Sequence, residues 1–259
     1  IHDRPAPGGD EPKVEELPDG SVLLSSRVGG GRIFNVYTYA DPVAATGSWS
    51  TSVTSSASNN GVVAVNNSTN GEVMCLPVTR KADGKDMYLL LQSVPMGSGR
   101  ANVGIFYKEL ENVEDFLNPT NVAKDWDGSH QSSYMGSAYS TMSWQADDKL
   151  AFLYEEETHG GSYTIVYKNY SIEQITDSAY TYNAGVDRYG FIAEGVDVKT
   201  SSLKSDNAFV GCVDPAAIES LNDAVKSFKA NPTREAYDAL NKMIAELPTI
   251  EVEAGKWYR

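Results

Sequence analysis

The sequence predicts an all-β fold, a β-propeller of which about three blades are present. The first observation behind this prediction is a repeated turn. Asp19-Gly20, Asp83-Gly84 and Asp147-Asp148 recur at a constant spacing of 64 residues. A repeat of roughly 40 to 65 residues that contains about four antiparallel strands is typical of a propeller blade. A β-sandwich with coincidental spacing is the alternative.

The second observation is a pair of strand-like segments after each turn. A short apolar run comes directly after the turn, and a glycine- or serine-rich loop separates it from a run of aromatic and β-branched residues. The first runs are 22–24, 87–91 and 150–154, and the second runs are 33–39, 102–107 and 163–167. Segments of this kind, separated by turn residues, predict antiparallel strands.

The third observation is the composition. The chain has 259 residues with 15 Tyr, 22 Gly and 11 Pro, which suits a strand-rich and loop-rich protein with a sizeable core. The formal net charge of −14 argues against a nucleic-acid partner, because such partners are bound by clustered Lys and Arg. A few converging arginines could still bind a small carboxylate. No apolar stretch approaches the roughly 20 residues that a membrane span needs.

The cysteines and histidines indicate no metal site. Cys75 and Cys212 are the two cysteines, and His2, His130 and His159 lack the spacing of metal ligands. The sequence therefore predicts neither a disulfide scaffold nor a metal site, and no cofactor is expected. Cys75 lies in an apolar run and is predicted to pack as a small hydrophobic residue.

The chain is predicted to divide into three parts. Residues 1–213 would form the propeller part, in which 176–213 add strands that complete or cover the third blade. A helical apolar period then predicts an αα-hairpin over 214–248. Residues 249–259 resemble the first strand of a further module, or a tail. Because the chain starts at Ile1 almost directly at a repeat, we expect a part of a longer or processed protein.

Four polar residues occupy two equivalent positions around the repeated turn. Glu11 and Arg27 lie eight residues before and eight after the Asp of the first turn, and Tyr139 and Glu155 lie likewise around the third turn. In a propeller these strand ends share one rim. Arg100 follows Gly97-Ser98-Gly99 and would reach the same rim.

Taken singly, each of these residues has a simpler interpretation. Tyr139 is one of 15 tyrosines in a β-protein, and Glu11 could be an exposed loop acid. Arg27 could form a strand-end salt bridge, and Glu155 begins an acidic, solvated run. Arg32, five residues beyond Arg27, is interpreted as structural or peripheral.

Together, the residues resemble the sialidases of glycoside hydrolase family 33, close relatives of the trans-sialidases. The motifs are Glu11 with Val14 and Leu17 ahead of Asp19-Gly20; Leu23-Leu24-Ser25-Ser26-Arg27; Gly99-Arg100-Ala101-Asn102; and Ala138-Tyr139-Ser140 followed by Leu153-Tyr154-Glu155. They occur in the family's order over about residues 10–175. The resemblance implies a six-bladed propeller, of which this chain would be the C-terminal half.

The resemblance also implies an activity, that of a retaining exo-α-sialidase acting on terminal sialic acids of glycoproteins, glycolipids or oligosaccharides. Tyr139 would be the nucleophile and Glu11 the base that accepts its proton. Arg27 and Arg100 would bind the sialic acid carboxylate, and Glu155 would hold a further arginine. A neutral phenol suits an anomeric carbon that already bears a carboxylate, because an anionic nucleophile would be repelled. A secreted, periplasmic or cell-surface location is implied as well.

The chain departs from the family pattern ahead of Glu11. The family's first arginine and its acid/base aspartate belong to early blades, and Asp3-Arg4 lies too close to Glu11 to be that pair. We therefore expect both residues, and the remainder of the propeller, to lie outside this chain. The alternatives are a non-catalytic propeller that binds sialic acid or another glycan, and a trans-sialidase.

Overall fold

The computed structural model describes residues 6–41, 44–67, 69–158, 161–186 and 215–230, with a few single residues between 233 and 246. By contacts, the chain divides into two compact units, Ile1–Phe191 and Ile192–Arg259. In the described part of the first unit, thirteen strands form three sheets, and every strand pair is antiparallel. The predicted all-β class is confirmed.

The first sheet contains five strands. They are β1 (Asp10–Glu16), β2 (Val22–Val28), β3 (Gly31–Asp41), β4 (Thr46–Trp49) and β5 (Val53–Ser56). β1, β2 and β3 follow one another across the sheet. β4 and β5 then share β3, since β4 pairs with its C-terminal part and β5 with its N-terminal part.

The second and third sheets repeat the same strand order. The second sheet contains β6 (Val73–Arg80), β7 (Lys85–Pro95), β8 (Val103–Leu110) and β9 (Gly128–Gln131), and the third contains β10 (Ser137–Trp144), β11 (Leu150–Glu156) and β12 (Thr164–Tyr170). Each sheet thus begins with a hairpin around one of the repeated turns. The predicted order of strand, turn, strand, loop and strand is confirmed in all three copies.

The repeated turns owe their sequence to backbone geometry. The second residue of each turn has a positive φ: 82° at Gly20, 71° at Gly84 and 57° at Asp148. Glycine adopts this conformation freely, and Asp tolerates it better than most residues. The Asp19 carboxylate accepts the N–H of Ser21, and the Asp83 carboxylate accepts that of Lys85. Both are turns closed by an aspartate side chain, which explains why Asp recurs there.

Three of the four short helices that the structure describes have a side-chain N-cap. The four are the 3-10 turn Ala57–Asn59, α1 (Val113–Leu117), α2 (Pro119–Ala123) and α3 (Ile172–Ile175), and α1 is the one without such a cap. Ser171 caps α3 by accepting the N–H of Gln174, whose side chain accepts the N–H of Ser171 in return. In the second unit, α4 spans Pro215–Ala230. Most of the predicted second helix and all of 249–259 lie outside the described residues.

One predicted strand pairs with a different sheet. Residues Tyr180–Tyr182 form β13, which pairs with β6 of the second sheet, so this segment does not complete the third blade by strand pairing. The alternative, that it covers the third blade, is compatible with the Tyr182 ring, which lies 4.5 Å from that of Trp144 on β10. The reason for the pairing with β6 is the path after β12: Ile172 and Ile175 of α3 and Tyr180 are buried in the core between the second and third sheets. The chain is thereby directed to the free edge of β6. Residues 187–213 lie outside the described part.

The middle sheet takes part in both hydrophobic cores. Its alternate side chains point to opposite faces, as strand geometry requires. Leu89 and Leu91 pack in one cluster with Phe152 of the third sheet, whereas Cys75 and Leu90 belong to the cluster shared with the first sheet. Cys75 is buried, as predicted for a small hydrophobic residue.

Candidate functional site

Glu11 lies in a β-bulge of β1. Asp10 pairs with Arg27 and Lys13 pairs with Ser25, so three steps along β1 match two along β2. A bulge of this kind bends the strand and redirects a side chain. Glu11 has a φ of 39°, and its N–H donates to the Asp10 carboxylate over 2.8 Å. The bulge thus directs Glu11 towards the third sheet.

Tyr139 lies in a matching bulge of β10. Between Ser137 and Ser140, three steps along β10 match two along β11. The N–H of Tyr139 donates to Glu155 Oε2 on the neighbouring strand over 3.3 Å. In the second sheet, β6 pairs with β7 without a register shift, and Cys75 occupies the equivalent position. The bulges therefore occur in the two inner strands that carry the predicted site residues.

The two bulges bring Glu11, Tyr139 and Arg27 into mutual contact. The Tyr139 hydroxyl donates to Glu11 Oε1 over 3.0 Å, although the two residues are 128 positions apart. Arg27 Nη1 lies 2.6 Å from the same carboxylate oxygen and 3.3 Å from the Tyr139 hydroxyl oxygen. One phenol, one carboxylate and one guanidinium thus form a triangle of hydrogen bonds across the first and third sheets.

Arg100 completes this cluster from the second sheet. Its guanidinium carbon lies 5.3 Å from the centre of the Tyr139 ring, within the range of a cation–π interaction. The preceding loop includes Gly99 with a φ of 69°, and the N–H of Ser137 donates to the Arg100 carbonyl over 2.9 Å. The predicted site residues Glu11, Tyr139, Arg27 and Arg100 are therefore brought together.

Glu155 also lies at this cluster, where it holds the backbone of Tyr139. Among the residues that the structure describes, no arginine pairs with Glu155. Its role in holding an arginine stays a prediction. The contact that is present fixes the bulge from which the Tyr139 side chain projects.

Two neighbouring arginines, Arg27 and Arg32, lie in different electrostatic surroundings. The hydrogen bond to Glu11 raises the pKa of Arg27 above its ordinary value. Arg32 pairs directly with Arg27 across β2 and β3 but is fully buried, and burial lowers its pKa to about 10. Its guanidinium donates to the Ser25 hydroxyl and carbonyl and to the Thr69 carbonyl over 2.9–3.1 Å. Arg32 thus supports the floor of the site.

Asn67 is a site residue that sequence reasoning missed. Its Nδ2 donates to the Gly99 carbonyl over 2.6 Å, and its own carbonyl accepts the N–H of Gly30 over 3.1 Å. It therefore ties the loop after Arg27 to the loop before Arg100. The sequence offers no signal for this, since Asn67 sits in a plain polar run, and its partners lie in two separate loops.

Two other features bear on the kind of site. Within the described part of the chain, no group of three or more His, Cys, Asp or Glu side chains is placed to hold a metal ion. No helix among the described residues is long and apolar enough to cross a membrane.

Comparisons by sequence identify no relative. No family model matches the chain, and no curated protein matches it.

Comparisons by structure find sialidases and intramolecular trans-sialidases. The chain is similar to the NanB sialidase of Streptococcus pneumoniae (18% identity, TM-score 0.47), to a leech intramolecular trans-sialidase (23%, 0.46) and to one from Ruminococcus gnavus (20%, 0.47). These matches cover 64%, 64% and 68% of this chain, but 24%, 24% and 35% of the other chains. The chain thus spans about a quarter to a third of the length of these proteins, and the similarity is one of fold at low identity.

Proposed function

We propose that this chain carries the nucleophile side of a retaining exo-α-sialidase, which hydrolyses terminal sialic acids of glycoproteins, glycolipids or oligosaccharides. The observation that carries the proposal is the 3.0 Å hydrogen bond from the Tyr139 hydroxyl to Glu11 Oε1. A free phenol has a pKa of about 10 and is a weak nucleophile, so it needs an adjacent base. The two bulges supply that base from another sheet.

In the proposed reaction, the Tyr139 hydroxyl oxygen attacks the anomeric carbon of sialic acid. A bond forms between these two atoms, the proton of the phenol passes to Glu11, and the bond to the departing glycan oxygen breaks. An acid outside this chain protonates that oxygen. Water then displaces the sugar from Tyr139 and gives a proton to the conjugate base of that outside acid, while Glu11 returns its proton to the phenol oxygen, so that the acid, Tyr139 and Glu11 are all restored.

Arg27 and Arg100 support the recognition of an acidic sugar. A guanidinium pairs with a carboxylate through two parallel hydrogen bonds. Arg27 contacts Glu11 and Tyr139 through Nη1, and the Arg100 guanidinium lies over the Tyr139 ring. Two guanidinium groups therefore lie beside the proposed nucleophile, where the carboxylate of an acidic sugar would bind.

The test is Tyr139→Phe in the complete enzyme, assayed with a fluorogenic sialoside. The variant keeps the ring beside Arg100 but loses the nucleophilic oxygen, so kcat should fall by at least about 100-fold. Tyr134→Phe is the matched control, because Tyr134 is 80% exposed in the loop before β10. Wild-type turnover by Tyr139→Phe contradicts the assignment.

A second candidate function is glycan binding without turnover. It is supported by the two guanidinium groups of Arg27 and Arg100 beside Tyr139, which could bind an acidic sugar without an acid that completes the reaction. Titration calorimetry with free sialic acid, set beside the turnover assay, separates the two. Binding without turnover in the complete protein supports this second candidate.

The proposal includes a structural partner, the remainder of a six-bladed propeller. Val14 on the first sheet is 62% exposed, and Ile165 and Tyr167 on β12 of the third sheet are 61% and 53% exposed. Inner blades of a propeller cover such faces with their neighbours. If the 259-residue chain alone is a monomer that unfolds cooperatively, as judged by sedimentation and urea unfolding, this part of the proposal fails. With these substrates, a secreted, periplasmic or cell-surface location is part of the proposal.

A further inference from the structure

We propose that Glu72, which no motif singles out, is a positioning residue that sets the distance between Glu11 and Tyr139. The effect of Glu72 on turnover rests on the proposed function, whereas its effect on the position of the Tyr139 ring does not. Glu72 directly precedes β6 of the middle sheet and contacts Lys13 of β1 and Thr141 of β10. It therefore sits between the two strands that carry the base and the nucleophile.

One oxygen of Glu72 contacts both of those strands. Oε2 accepts a hydrogen bond from the Thr141 hydroxyl over 2.9 Å and lies 3.2 Å from Lys13 Nζ. Lys13 follows Glu11 by two residues on β1, and Thr141 follows Tyr139 by two on β10. Each link thus lies about 7 Å along the strand from a site residue.

Glu72 is itself held by the second strand of its sheet. Its N–H donates to the Ser93 hydroxyl over 2.8 Å, and its carbonyl accepts the N–H of Ser93 and the side-chain amide of Gln92 over 2.9 and 3.0 Å. The side chain is only 15% exposed. A carboxylate on so fixed a backbone can hold its two neighbours at a defined separation.

The position matters because Glu11 and Tyr139 have no sheet in common. Their hydrogen bond spans the first and third sheets, and displacement of either strand by about 1 Å can reduce a reaction rate about 100-fold. Glu72 also forms an ion pair with the Lys13 ammonium. Without it, Lys13 would be a free cation two residues from Glu11 and would compete with Tyr139 for that carboxylate.

The experiment compares Glu72→Ala, Glu72→Gln and Thr141→Val with a matched control. The control is Asp86→Asn, because the Asp86 carboxylate also accepts a threonine hydroxyl, that of Thr79 over 2.7 Å, at an exposed site between β6 and β7. The first readout is the ¹³Cζ resonance of Tyr139 in the complete protein labelled at tyrosine, assigned by Tyr139→Phe. It requires no activity.

We expect Glu72→Ala and Thr141→Val to move the Tyr139 resonance, Glu72→Gln to move it less because an acceptor for Thr141 remains, and Asp86→Asn to leave it unchanged. In the complete enzyme, Glu72→Ala should lower kcat by about 10- to 100-fold with KM within about twofold. If Glu72→Ala does not fold, Thr141→Val and Glu72→Gln report the same links.

The positioning role is overturned if the folded variants all keep the wild-type Tyr139 resonance, or if Asp86→Asn moves it equally. Absence of turnover in the wild-type complete enzyme overturns the proposed function instead. In that case the resonance still decides whether Glu72 positions Tyr139.

Discussion

At the scale of single residues, the site depends on one carboxylate with two unequal oxygens. Glu11 Oε1 forms an ion pair with Arg27 and accepts a hydrogen bond from the Tyr139 hydroxyl. Oε2 is buried and, within the described part of the chain, has no hydrogen-bond partner. Buried acceptors usually have partners, so an exception calls for a functional explanation. Oε1 is the oxygen that faces the Tyr139 hydroxyl and would accept its proton in the proposed reaction.

The role of Arg100 can be tested by the change to Lys. Lysine keeps the charge but lacks the planar fork, so Arg100→Lys should weaken binding of free sialic acid by about 10-fold or more. Titration calorimetry on the complete protein measures this. Arg80→Lys makes the same chemical change within a surface cluster of acidic residues and should leave the affinity unchanged. Equal affinities for wild type and Arg100→Lys would show that Arg100 does not bind the carboxylate.

At the scale of elements, the short loop between β2 and β3 closes the first sheet beside the site. Gly31 begins β3 and pairs with Val28 on one side and with Ser56 of β5 on the other. A Cβ atom at Gly31 would overlap the carbonyl oxygen of Ser55. Glycine is thus required there for the close approach of β5 to β3, and with it for the local support of Arg27.

Gly31→Ala should therefore destabilise the fold. Overlap with backbone atoms cannot be relieved by rotating a side chain, and we expect a loss of about 2 kcal/mol or more in the free energy of unfolding. Gly29→Ala is the matched control, since a Cβ atom there meets nothing within 4 Å. Its effect should stay within about 0.5 kcal/mol. Urea unfolding of both variants measures the difference, and equal midpoints would contradict the role of Gly31.

At the scale of the whole first unit, polar side chains are buried within and beside the two cores. Tyr154 and Tyr180 are buried in the core between the second and third sheets, and burial raises the pKa of each hydroxyl above its ordinary value. The Tyr154 hydroxyl donates to the Ser132 carbonyl, and that of Tyr180 to the Glu109 carboxylate. Both tyrosines must stay protonated for the core to keep these contacts.

This arrangement predicts a loss of stability in alkali. Below a pH of about 10, the two tyrosines contribute fully to the free energy of unfolding. Above it, tyrosine hydroxyls lose their protons in the unfolded chain before they do in the fold, so the free energy of unfolding falls as the pH rises towards the higher pKa values of the folded state. Arg32 acts in the opposite direction, since its lowered pKa of about 10 favours the fold at higher pH. The urea midpoint of wild type minus that of Tyr180→Phe, followed from pH 8 to about 11, isolates the tyrosine effect.

That difference should shrink above a pH of about 10. A difference for Tyr180→Phe that stays constant over the same range would contradict the prediction.

The sequence was sufficient where the determining chemistry is local. The turns were predictable because an Asp followed by Gly or Asp favours a tight turn with a positive φ, and the strands follow from patterns a few residues long. The strand with which β13 pairs was not predictable, because an aromatic segment indicates a strand but not the sheet edge to which that strand will pair. The contacts of Asn67 and Glu72 were also out of reach, since each joins segments that only the sheet packing brings together.

The residues that meet at the candidate site were found as sequence motifs, but the β-bulges that orient Glu11 and Tyr139 were not. A bulge is one unpaired residue in a ladder of hydrogen bonds, and nothing in the run around Glu11 or Tyr139 marks it. Whether Glu155 holds an arginine also depends on groups beyond the described residues.

The positive φ at Glu11 has a consequence for how this protein responds to selection. A glutamate held in the left-handed conformation is destabilised by about 1–3 kcal/mol, whereas glycine tolerates it at little strain. A search for thermostable variants would therefore favour replacement of Glu11 by glycine. The most thermostable variants would then lack the Glu11 carboxylate. For the proposed reaction, heat resistance and turnover should be antagonistic at this position.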